Sequence, residues 1–300
     1  MKHRMKTIVY TCPYVPAEWI AAHGLRPQRL IPLPVEGTLT IPRLEGLCPY
    51  ARAFANEAAA GKDVDGIVVT TMCDQMRRVF DLLVRRVPTP AFLLNVPSTW
   101  QTVAAQRLYL DELKRLGRFL VRLGGREPDK DDLIRAMLDQ ARGDGVHSTP
   151  YERAGVPLAV VGGPLMQRDR VLFDVVEECG GRVVLDATET GLRGLPVPFD
   201  RRRLAEDPLM ELAQAYFRIP DASRRPNSEL YRWLKEELAR AGARGILFHH
   251  YVWCDQWRAE FSRLKDWAGL PALRLDSDGD GAMDRVRIRN RVRAFLETLA

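Results

Sequence analysis

The chain has 300 residues, 46% hydrophobic and 28% charged, enough apolar material for one large or two medium cores. That balance excludes a disordered or collagen-like chain, and no window approaches the roughly 18 consecutive apolar residues of a membrane span. The net charge of +6 is spread over helix faces such as Arg77, Arg78, Arg85 and Arg86, so neither nucleic acid nor membrane is expected as a partner; a polyanionic small substrate or a negative protein partner fits. The opening residues run straight into strand-like Thr7-Ile8-Val9-Tyr10 without a cleavable signal, which reads as cytoplasmic.

Short apolar runs alternate with longer amphipathic stretches. Strands are predicted at Thr7–Thr11, Gln28–Leu33, Gly66–Thr71 and Ala91–Val96, with helices at Ala17–His23, Cys48–Ala60 and Asp74–Arg86. This is a βαβ pattern with a parallel sheet. From Thr102 to about Arg142 the chain reads as helical, with Ser98 and Thr99 capping a start at Trp100 and Gly143-Asp144-Gly145 marking a boundary. A second α/β half follows: strand Pro157–Gly162, helix Arg168–Glu178, strand Arg182–Asp186, and a Pro- and Arg-rich connector from Gly191 to Arg203. Helices at Met210–Phe217 and Ser228–Ala241 lead to strand Gly245–His249, helix Asp255–Ala268, strand Ala272–Leu275 and helix Val286–Leu299. The expected architecture is two Rossmann-like parallel-sheet domains, 1–101 and 151–300, joined by bridging helices in 102–150.

In parallel α/β sheets, ligands bind at the rim where strands end and helices begin. Cys12, Cys73 and Cys254 all fall at such turns, and Cys48 opens a helix. A thiolate at a helix N-terminus is stabilised by the dipole and by free N–H groups, which suits metal-bound sulfur; the alternative is single buried cysteines in turns. Cys179, at a helix end, reads as structural. No C-x-x-C pair occurs, which excludes zinc-ribbon, thioredoxin and ferredoxin signatures, so any cluster is assembled from distant segments.

Cys12-Pro13-Tyr14-Val15-Pro16-Ala17-Glu18-Trp19 followed by Gly24-Leu25-Arg26-Pro27 resembles the opening motif of the 2-hydroxyacyl-CoA dehydratase family, the group of D-components and benzoyl-CoA reductase subunits. Cys48-Pro49-Tyr50-Ala51-Arg52 resembles its second cysteine motif, and Asp65-Gly66-Ile67-Val68 leading to Cys73-Asp74 its third. Tyr109–Leu113 is similar to its bridging helix. Glu177-Glu178 with Gly180–Val184 resembles its second domain, and Trp253-Cys254-Asp255 with Arg291 and Ala294–Glu297 its end. The resemblance spans nearly the whole chain in order. It implies a 4Fe-4S cluster between the domains, held by Cys48, Cys73 and Cys254, with one iron left open; Cys12 is then a wall residue. It also implies an acyl-CoA substrate and a homologous second subunit or a homodimer. An ATP-dependent iron-sulfur activator is expected to supply one electron that makes a ketyl radical and expels water. Little sequence precedes the first motif, so a helical N-terminal extension is expected to be absent.

Other polar residues near these turns carry two readings each. Glu18 reads as a general base or as a cap of the helix that begins at Pro16. His249 and His250 end a strand, one facing the core and one the rim, and His249 is the candidate for proton transfer. Gly162-Gly163 can let backbone approach a ligand. Asp276–Asp284 imitates the first nine positions of an EF-hand loop, but the twelfth is Arg287 where a carboxylate is needed, so it reads as an acidic loop capping the last helix. Two rival functions remain. One is a reductase of the benzoyl-CoA or double-cubane type; the other is a non-catalytic electron-transfer subunit. A roomy cavity beside Cys254 favours an enzyme.

Overall fold

A computed structural model describes residues 4–35, 40, 46–143, 154–279 and 281–299. The first half runs β1 (Thr7–Tyr10), α1 (Ala17–Ala22), β2 (Arg26–Arg29), α2 (Pro49–Ala60), β3 (Gly66–Thr70), α3 (Asp74–Arg86) and β4 (Ala91–Leu94). Its four strands are parallel in the order β2-β1-β3-β4. α4 (Val103–Arg122) and α5 (Lys130–Gly143) follow. The second half runs β5 (Val156–Gly162), α6 (Val171–Glu178), β6 (Gly181–Ala187), α7 (Arg201–Glu206), α8 (Pro208–Phe217) and α9 (Ser228–Ala241). It closes with β7 (Gly245–Tyr251), α10 (Asp255–Ala268), β8 (Ala272–Ser277) and α11 (Gly281–Glu297). These strands are again parallel, in the order β6-β5-β7-β8.

Both sheets are covered on both faces, and strand alternation decides what each face meets. Ile8, Tyr10 and Val68 pack with Trp19, Tyr109, Leu113 and Leu212 of α1, α4 and α8. Val9, Ile67 and Val69 turn the other way, onto Phe54, Val79 and Leu83 of α2 and α3. In the second sheet, Val161 and Phe248 meet Leu234, Trp257 and Leu264 of α9 and α10. Val160 and Leu247 meet Leu172, Val176 and Leu296 of α6 and α11. Strands buried this way need apolar side chains at successive positions, hence GIVVT in β3 and LAVV in β5.

Several local boundaries differ from the sequence reading. β2 is Arg26–Arg29, upstream of the predicted Gln28–Leu33, because pairing with β1 begins at Thr7↔Arg26. α4 starts at Val103, with Thr102 Oγ1 accepting from the Ala105 N–H at 3.1 Å, while the Ser98 carbonyl accepts from the Arg225 N–H at 2.9 Å. The connector from Gly191 to Arg203 contains a short 3-10 turn, Leu192–Gly194, and the start of α7, capped by Asp200. Asp276, first of the calcium-like series, lies on β8 in an ion pair with Arg274, Nε to Oδ1 3.0 Å; Asp280 and the side chain of Asp284 lie outside the described residues. Among the described residues no helix is long and apolar enough to cross a membrane.

Candidate active site at the facing strand ends

Each sheet changes direction between its two central strands, β1 and β3 in one, β5 and β7 in the other, because successive crossovers leave to opposite sides. The crevice beyond the carboxyl ends of such a pair is the place where these folds bind ligands. Here the two crevices contribute to one cavity. Cys12 follows β1, Cys73 follows β3, Pro164 follows β5 and Cys254 follows β7, and all four line it together with Cys48. Its atom-free space, mouth included, is about 670 Å³.

Three of these cysteines share one local design. Cys48, Cys73 and Cys254 are the N-cap residues of α2, α3 and α10. The Cys48 sulfur accepts from the Ala51 N–H at 3.4 Å, and its own N–H donates to Gln75 Oε1 at 3.0 Å. Burial pushes the Cys48 thiol up to about 12 and the Cys73 thiol up to about 11, against the pull of backbone N–H groups at each helix start. Burial also raises Cys254, and the neighbouring Cys48 raises it further. Cys73 also raises Cys48 and Cys254, so the three thiols are close enough to feel one another. Cys12 lines the same cavity and is raised by burial and by Glu189, which acts on Cys73 and Cys254 as well. Cys179 does not line the cavity; its thiol donates to the Arg289 carbonyl at 3.7 Å.

The remaining wall is mostly apolar and aromatic: Tyr14, Tyr50, Met72, Met76, Tyr251 and Trp257. Two carboxyl groups interrupt it. Asp221 accepts from buried Arg193 Nη1 at 2.7 Å and from Ser223 Oγ at 2.6 Å. The Glu189 carboxyl is pushed up to about 7, first by burial and then by Asp221, against the attraction of Arg193 and Arg29. The sequence reading missed both residues. Thr188-Glu189-Thr190 and Pro220-Asp221 carry no motif, and the one signal for Glu189 is its place just beyond the end of a strand.

Glu18 and His249 lie outside this lining. Glu18, 2% exposed in the first turn of α1, accepts from Tyr216 Oη at 2.6 Å and so ties α1 to α8. His249, equally buried, sits edge-on to Tyr251 with ring centroids 5.0 Å apart, and neither ring nitrogen makes a hydrogen bond. It borders a separate small cavity with Arg168, Asp169, Leu172 and Arg285. His250 is also buried, with Nε2 2.9 Å from Asp276 Oδ1.

Among the described residues no three His, Cys, Asp or Glu side chains are arranged around a single metal ion. The donor set does suit a larger sulfur-bridged group: three thiols from separate helix starts, each facing backbone N–H groups of its helix, line one cavity.

Fold and site together define an α/β protein of two parallel sheets whose rims share a pocket lined by four cysteines. The chain belongs to the family described as "2-hydroxyglutaryl-CoA dehydratase, D-component", which it matches over residues 12–144 and 138–299. No curated protein matches it. Two solved structures of the SBP FpvC from Pseudomonas aeruginosa, with Ni2+ and with Mn2+, align at 10% identity. They cover 99% of this chain and 98% and 100% of their own, with TM-scores of 0.27 and 0.28, too slight a likeness to carry an argument.

Proposed function

We propose that this chain is a subunit of a 2-hydroxyacyl-CoA dehydratase that holds a 4Fe-4S cluster on Cys48, Cys73 and Cys254. The observation that carries the reading is that these three thiols, two from the first half of the chain and one from the second, line one cavity. Bound to three thiolates, such a cluster keeps one iron with a free position and supplies one-electron and Lewis-acid chemistry in the cavity. The chain's own contribution is enclosure. Tyr14, Tyr50, Tyr251, Met72, Met76 and Trp257 form walls that exclude water from a reactive acyl group.

The net reaction is loss of water across C2 and C3 of the thioester. One electron, delivered by an ATP-driven activator protein, makes a ketyl radical; the 2-hydroxyl leaves as water, a C3 proton is lost, and the electron is returned. A homologous subunit or a second copy of the chain completes the enzyme. Glu18 and His249 do not border the cavity and are given no step here.

The test is anaerobic purification with iron and sulfide analysis and EPR, on the native chain and on Cys73→Ser. The reading expects about four irons per chain, lost in the variant. No iron after anaerobic reconstitution overturns it. Given the cluster, 2-hydroxyacyl-CoA thioesters are assayed with an activator.

A further inference from the structure

The ionisable residues lining the cavity, apart from thiols and phenols, are Glu189 and Asp221; no lysine, arginine or histidine is among the described residues that line it. This contrasts with a chain whose net charge is +6. The two guanidinium groups felt at Glu189, those of Arg193 and Arg29, are already engaged. Arg193, with no exposed surface, gives one donor pair to Asp221 and the Pro220 carbonyl and donates its others to the carbonyls of Gly162 and Ala187. Arg29 donates to the carbonyls of Thr11 at 3.1 Å and Glu189 at 2.9 Å.

Glu189 is also fixed in place. Its N–H donates to the Gly163 carbonyl at 3.2 Å, and Arg29 holds its carbonyl. On one side Thr188 Oγ1 donates to Asp186 at 2.6 Å; on the other Thr190 Oγ1 accepts from the Leu165 N–H at 3.0 Å. With the strip bonded along its backbone and by both neighbours, the carboxyl is the part left to face the cavity, and its charge is felt at Cys12, Cys73 and Cys254.

We propose that this cavity accepts an uncharged acyl chain and that Glu189 is the specificity-determining residue that turns away an acyl chain ending in a carboxylate. The inference rests on the dehydratase reading above. A second carboxylate brought in beside Glu189 and Asp221 leaves water for a site where the described lining offers it like charge and no cation, and a buried anion without a partner is strongly disfavoured. A neutral aliphatic or aromatic acyl chain meets methionine, tyrosine and tryptophan walls instead. The phosphates of a CoA handle stay outside, where the basic surface attracts them. On this reading 2-hydroxyglutaryl-CoA, the thioester in the family's description, is a poor ligand for this chain.

The experiment measures binding to the anaerobically purified, iron-loaded full chain by calorimetry. It uses two thioesters of equal carbon count, 2-hydroxypentanoyl-CoA and 2-hydroxyglutaryl-CoA, on the native protein and on Glu189→Gln. The native protein is expected to bind the neutral thioester at least about tenfold more tightly, a difference of about 1.4 kcal/mol. Glu189→Gln, with iron content unchanged, is expected to bring the two affinities to within about threefold of each other. Equal binding by the native protein overturns the inference and leaves the dehydratase reading standing, and this comparison needs no variant. A discrimination that survives in folded, iron-loaded Glu189→Gln also overturns the role of Glu189. Binding of neither thioester overturns the dehydratase reading, and the inference with it.

Discussion

Arg193 shows how much of this site depends on single charges held out of water. Its guanidinium is fully buried, paired with Asp221 at 2.7 Å and stacked 4.6 Å from the Trp257 ring, so one side chain links the loops after β5 and β6 to the cavity wall. Removing one partner of a buried pair leaves the other charge uncompensated. Arg193→Met is therefore expected to destabilise the protein by about 3–5 kcal/mol in chemical denaturation. Arg232→Met breaks the exposed pair with Glu229 and is expected to cost about 0–1 kcal/mol; similar losses in both would contradict this account of Arg193. At this scale the sequence is legible where chemistry is local. A cysteine directly before an amphipathic run announces an N-cap, as Cys48 and Cys73 do. Glu189, Asp221 and the partner of Glu18, 198 residues away on α8, leave no such trace, because their surroundings come from contacts distant in sequence.

Among the elements, the close approach of β5 and β7 sets the geometry of the second rim. A Cβ added to Gly162 would lie 1.9 Å from the His249 carbonyl oxygen, and the residue takes φ +159, which side-chain-bearing residues rarely adopt. Both atoms belong to backbone at the sheet's centre, so neither can swing aside. Gly162→Ala is expected to cost roughly 2–3 kcal/mol, read as a lower denaturation midpoint with an unchanged m-value. A neutral result would mean that the strands separate more easily than their pairing suggests. The strands of both sheet centres were readable because they are buried on two faces and appear as apolar runs. β2 was displaced in the sequence reading because an edge strand, RPQR, buries little and its register is set by β1. The same applies to the start of α4: Ser98 and Thr99 have cap chemistry, but their backbone is engaged by Arg225, and Thr102 takes the role.

Across the whole molecule, the two sheets meet around the cavity through scattered polar bonds, such as Gln256 Nε2 to the Met72 carbonyl at 2.9 Å and Tyr14 Oη to the Ile219 carbonyl at 2.7 Å. The group proposed for Cys48, Cys73 and Cys254 would add a tie between the sheets, and a ligand bound only by the folded state raises stability. Anaerobic chelation of iron is therefore expected to lower Tm, Cys254→Ser to show the low Tm with or without iron, and Cys12→Ser to keep the difference. In the pH response of the iron-free protein, His249 and Glu189 act with opposite sign. Burial, reinforced by His250, pulls His249 from 6.5 down to about 3, so between those values the unfolded chain binds more protons and stability falls as the pH falls, by up to about 1.4 kcal/mol per unit. Burial and Asp221 raise Glu189 from 4.5 to about 7, so between those values the folded state binds more protons and stability rises as the pH falls. The two effects oppose each other from 6.5 to 4.5, while His23, lowered by burial, and Asp132, held low by Arg126, add losses of the same sign as that of His249 as the pH falls. His249→Phe removes one loss, so on going from pH 6.5 to 4.5 the variant should fare better than the native protein, each measured against its own value at pH 6.5. Urea midpoints of both proteins at pH 4.5, 5.5 and 6.5 make the comparison. Parallel curves would show that His249 takes up its proton in the folded state as readily as in the unfolded one, contrary to its burial without a hydrogen-bond partner at either ring nitrogen.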